Sequence, residues 1–92
     1  MKPVALFVLP LLLGMSAFAA PRSSAVRAEF QRLQPCPATG KARGACPGWQ
    51  IDHREALICG GRDVRENLQW LSVAEHKAKT RVEVKLCRAR TR

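Results

Sequence analysis

With 92 residues, 25% of them charged, the chain is long enough for one modest domain and no more. Sixteen Lys and Arg face seven Asp and Glu, a formal net charge of +9 that favours polyanionic partners: nucleic acid, anionic lipid or acidic polysaccharide. The longest apolar run, Val4 to Met15, is shorter than the ~20 residues of a bilayer span and is broken by Pro10 and Gly14, which argues against a membrane anchor.

In chain order, Met1-Lys2, the apolar run and Ala17-Phe18-Ala19 form a charged start, a short greasy stretch and a small-residue exit. That pattern reads as a secretory signal peptide over residues 1–19, cleaved after Ala19 to leave a domain over residues 20–92. The protein is therefore expected to be exported, periplasmic or secreted. Ser23-Ser24 can cap a short helix with Val26, Phe30 and Leu33 at helical spacing, and Pro35 ends it. Pro35 to Gly48 holds three prolines, three glycines and two cysteines, a cross-linked loop. Trp49-Gln50-Ile51-Asp52-His53 alternates apolar and polar residues and predicts a strand. Residues 54–67 form a turn-rich connection, and Leu68-Gln69-Trp70-Leu71 predicts a second strand. Trp49 and Trp70, on neighbouring strands, are expected to form a core pair. Ser72-Val73-Ala74-Glu75 fits a capping box that opens a helix with Val73, Lys77 and Thr80 on one face, then Val84 and Cys87. Arg88, Arg90 and Arg92 make a basic tail. The sequence contains no internal repeat.

An even count of cysteines in a short exported chain favours disulfides over zinc. Cys36, Cys46, Cys59 and Cys87 allow three pairings, which sequence does not decide. Cys36–Cys46 with Cys59–Cys87 is preferred, because the first closes the Pro/Gly-rich loop and the second ties the last helix to a central loop. In a chain retained in the cytoplasm, the four could instead hold a structural metal.

Chemistry-bearing residues collect in one region: Asp52-His53, Gly60-Gly61-x-Asp63, Asn67-Leu68-Gln69-Trp70 and His76-Lys77-x-Lys79-Thr80. In this order and spacing they resemble the HNH endonuclease family over about residues 47–81. Cys36-Pro37-Ala38-Thr39-Gly40 and Ala45-Cys46-Pro47-Gly48-Trp49 look like an exported, cysteine-containing bacterial branch of it. The resemblance implies an α+β fold: a small ββα-metal domain with an added N-terminal helix, disulfide-linked. Ala56 stands where family members commonly have Pro, and Lys77 where they often have Asn.

Hydrolysis of a phosphodiester needs an activated water, a counter-charge for the transition state and help for the departing oxygen. A neutral imidazole can take the proton, and one divalent cation can supply the rest. Both histidines of the chain lie in the motif. The resemblance implies His53 as general base, Asp52 and His76 as metal ligands, and Asn67 as the residue that orients His53. Magnesium, manganese, nickel and zinc all suit a carboxylate and an imidazole. Arg62, Arg65, Lys77, Lys79, Arg81 and Lys85 are the expected phosphate contacts. The expected function is a monomeric endonuclease hydrolysing DNA, or RNA, with little sequence specificity. Its rivals are a non-catalytic exported nucleic-acid-binding module on an HNH scaffold, and a cysteine-stabilised cationic peptide acting on membranes. The last helix offers the peptide too little apolar surface.

Overall fold

The structure, a computed structural model, describes residues 22–88. The signal-peptide segment 1–19 and the tail positions Arg90 and Arg92 lie outside the described residues. Ser23 opens helix α1 (Ser24–Leu33) by accepting the Val26 N–H on its side chain. The helix stops at Gln34, whose backbone leaves the helical region immediately before Pro35. Strands β1 (Trp49–His53) and β2 (Leu68–Ser72) pair antiparallel, with Ile51 opposite Trp70 and Asp52 opposite Gln69. The 54–67 connection contains two short 3₁₀ turns, Leu57–Cys59 and Arg65–Asn67. Helix α2 (Val73–Arg88) follows directly. Its capping box is formed, the Ser72 hydroxyl accepting from the Glu75 N–H at 3.1 Å and the Glu75 carboxylate from the Ser72 N–H at 3.0 Å. The chain is thus a small α+β unit.

Side chains alternate across a strand, so the hairpin presents two different faces. On one, Trp70 packs its ring against Phe30 of α1 at a centroid distance of 5.7 Å and donates its indole N–H to the Gln34 carbonyl at 2.7 Å. The expected pairing of the two tryptophans is corrected here: Phe30 takes the place beside Trp70, because α1 lies over that end of the hairpin. Leu33, one of the apolar positions at helical spacing, is 61% exposed, and the next buried position after Phe30 is the polar Gln31. On the other face, Asp52 meets His76 and Lys79 of α2. The stripe that α2 turns inward runs His76, Lys79, Glu83 and Cys87, whereas Val73, Lys77 and Thr80, predicted to share a face, are exposed. Among the described residues no helix is long and apolar enough to cross a membrane.

Among the described residues the buried apolar side chains are Phe30, Leu68, Cys36 and Cys87. Both disulfides of the preferred pairing are present, Cys36–Cys46 and Cys59–Cys87. So small a core leaves much of the stability to these cross-links. The Cys59–Cys87 bond spans 28 residues, a loop whose closure is worth roughly 3–4 kcal/mol in the chain-entropy account. Replacing both cysteines by serine is expected to lower the denaturant midpoint more than the same change at Cys36 and Cys46. Urea titrations of the two oxidised variants measure the difference.

A candidate active site beside the first strand

Both strands of a two-stranded sheet are edges, and a groove of about 640 Å³ runs along β1. All five β1 residues line it, together with side chains from both helices. Asp52, His53 and His76 all reach this groove, although Asp52 and His53 belong to opposite faces of the strand.

His53 ends β1, where the chain turns away. Its Nε2 lies 2.8 Å from Asp63 Oδ1, and the other oxygen of Asp63 accepts the Ser23 N–H at 2.6 Å. The hydrogen bond from His53 and that from Ser23 hold the Asp63 carboxyl below its ordinary pKa of 3.8. An ionised Asp63 accepts only, so the His53 proton belongs on Nε2 and the lone pair on Nδ1. For Nδ1 there is no hydrogen-bond partner among the described residues. Asp63 was visible in the sequence only as the last residue of a glycine turn, and its role in orienting His53 was missed.

The loop that positions these residues is clamped by Asn67. Its amide oxygen accepts the Glu55 N–H at 3.0 Å, and its amide nitrogen donates to the carbonyls of Glu55 and Arg62 at 2.9 and 2.8 Å. One side chain thereby fixes both ends of the segment between His53 and Asp63. Gly61 completes the clamp. A Cβ there would stand 1.8 Å from the Glu55 carbonyl oxygen, a backbone atom, so only glycine fits.

Asp52 is 5% exposed, and its two oxygens are used differently. Oδ2 accepts from Gln69 Nε2 and from Lys79 Nζ, each at 3.0 Å. Oδ1 faces His76 Nε2 across 3.6 Å, beyond hydrogen-bond reach. Two bonds of about 2.1 Å from a single cation can bridge such a gap, so the pair fits a divalent ion through one oxygen and one nitrogen. Among the described residues no group of three or more His, Cys, Asp or Glu is arranged for a metal. An ion at this pair would therefore complete its coordination with water and substrate oxygen.

The structure turns Lys79 inward, away from the phosphate-contacting role expected of it. An ammonium has three protons to donate, and here Asp52, Glu83 and the His53 carbonyl take all three. Burial lowers the Lys79 pKa, but the hydrogen bonds to Glu83 and Asp52 outweigh it, and the net shift is upward. Arg65 is likewise committed to Glu29 and Glu66. Lys77, Arg81, Lys85 and Arg62 are exposed, and none of them lines the groove.

The lowered pKa of Asp63 makes stability depend on acid. The carboxylate's contribution is complete above 3.8 and is lost as pH falls below that value through the folded-state pKa. The melting-temperature gap between the protein and its Asp63→Asn variant is expected to close as pH falls below 3.8. Melts at stepped pH measure it.

No protein-family model matches the chain, and no curated protein and no solved structure matches it.

Proposed function

We propose that the chain is an exported, metal-dependent endonuclease of the HNH kind that hydrolyses phosphodiester bonds of DNA with little sequence preference. One observation carries the reading: an oriented imidazole and a carboxylate–imidazole pair open to a cation line the same groove. Asp52 and His76 would hold one divalent ion, which supplies counter-charge to the phosphate and to the departing oxygen. His53 takes a proton from water on Nδ1 while the water oxygen bonds to phosphorus and the bond from phosphorus to the leaving sugar oxygen breaks. Asp63 stabilises the imidazolium so formed, and the departing oxygen, its charge countered by the ion, takes a proton from solvent. Lys79 holds Asp52 and the backbone of His53 in register, so the two functional units stay at a fixed separation. The two disulfides suit an oxidising compartment.

The reading is tested by incubating the purified, oxidised protein with supercoiled plasmid and a divalent salt. Nicked circles that accumulate with the ion and stop on adding EDTA are the expected result. Retention of intact plasmid without nicking under magnesium, manganese, nickel and zinc would leave a nucleic-acid-binding module in its place.

A further inference from the structure

Across the groove from Asp52 and His76 stands α1, which contributes Arg27 and Gln31 to its wall, with Arg22 just before its cap. A second depression shares Arg27, Gln31, Gly44 and Ile51 with the first and adds Arg32 and Arg43, so the two are continuous. All four arginines are exposed. Arg27, Arg32 and Arg43 form no ion pair among the described residues, and Arg22 is attracted to Asp63 only through space. Residues 30–51 contain no Asp or Glu, so nothing acidic in that stretch offsets Arg32 and Arg43. The carboxylates of the groove, Asp52 and Glu83, are on β1 and α2.

The loop that carries Arg43 is built to stay in place. The Cys36–Cys46 disulfide closes it, and the Cys36 N–H donates to the Lys41 carbonyl at 2.9 Å. From α1, the buried amide of Gln31 donates to the carbonyls of Lys41 and Gly44, each at 3.2 Å. A buried polar side chain and a disulfide thus fix a loop whose charged side chains are Lys41 and Arg43, while both stay exposed. A guanidinium on a fixed backbone loses less freedom on contacting phosphate than one on a mobile loop.

We infer that Arg22, Arg27, Arg32 and Arg43 form the track that grips the DNA backbone and leads it to Asp52, His53 and His76. The substrate then lies between α1 and α2, along the free edge of β1. The inference rests on the nuclease reading for its partner, and it replaces the outer face of α2, with Lys77, Arg81 and Lys85, as the main phosphate-binding surface. Contacts of this kind position the strand without reading bases.

The test measures affinity for a short labelled DNA duplex by fluorescence anisotropy, in EDTA so that cleavage does not intervene. Arg27→Gln with Arg43→Gln is compared with Arg81→Gln with Lys85→Gln, each matched to the unaltered protein by thermal melting. The groove pair is expected to weaken binding about tenfold and to flatten the dependence of log affinity on log salt by about 1.8, or ~0.9 for each lost phosphate contact. The α2 pair should change both less, and Arg27→Lys with Arg43→Lys should restore the salt slope. An unchanged slope in the groove pair, or a larger loss in the α2 pair, would overturn the track. Because the readout is binding, a protein that grips DNA through these arginines yet never cuts it would defeat the nuclease reading and leave the track standing. Failure of the unaltered protein to bind DNA would overturn both.

Discussion

His53→Ala is expected to slow DNA cleavage by about 10²–10⁴-fold, the range for losing a general base, with little change in DNA affinity. The reason lies in what else the groove holds. His76 Nε2 faces Asp52, and on the proposed reading it is committed to the cation. Lys79 donates its three N–H groups to Asp52, Glu83 and the His53 carbonyl and is held in its charged form, so it cannot take a proton. His53 alone combines a bonded Nε2 with a ring nitrogen that is free among the described residues. The fold should survive the change, since the pairing of His53 with Leu68 is made by backbone. Cleavage rate and binding affinity measured on the same preparation separate the two effects.

His76→Ala is expected to weaken divalent-ion binding by on the order of 100-fold or more, with cleavage falling in step. On the proposed reading Asp52 and His76 are the two protein donors, so deleting His76 would leave the cation on a single carboxylate oxygen. The variant is also a clean one. The His76 side chain is 32% exposed, and among the described residues its one charged partner is Asp52. Asp52→Asn should lose the ion too, but it additionally strips Lys79 of one partner and disturbs the strand end. Manganese titration followed by electron paramagnetic resonance reads affinity directly. Equal manganese affinity in His76→Ala and the unaltered protein would remove His76 from the site.

Much of this architecture was legible in the residues. Ser23, Pro35 and the Ser72–Glu75 box mark helix ends by local chemistry, and local chemistry does not depend on the fold. The alternation in Trp49–His53 gives the strand for the same reason. The inward stripe of α2 was not legible, because His76, Lys79 and Glu83 are polar and a search for apolar spacing passes over them. Lys79 pairs with Glu83 and Asp52, and His76 faces Asp52, which only the three-dimensional arrangement reveals. Asp63 was obscured similarly: in sequence it belongs to a glycine turn, and its partners His53 and Ser23 lie 10 and 40 residues away. Asn67 was easier to read, since a side-chain amide at the end of a long turn has nearby backbone to bind. The basic residues show the limit most clearly. Charge is visible in sequence, but which cations are spent on internal carboxylates, as Lys79 and Arg65 are, is a property of the fold.

The most direct test of the central claim follows one labelled DNA duplex through binding and cutting in a single sample. Oxidised protein is first equilibrated with the duplex without metal, and manganese or magnesium is then added. The account predicts a bound, intact duplex before the ion and strand cleavage after it, halted by EDTA. A duplex that remains bound and whole after each of magnesium, manganese, nickel and zinc would contradict it.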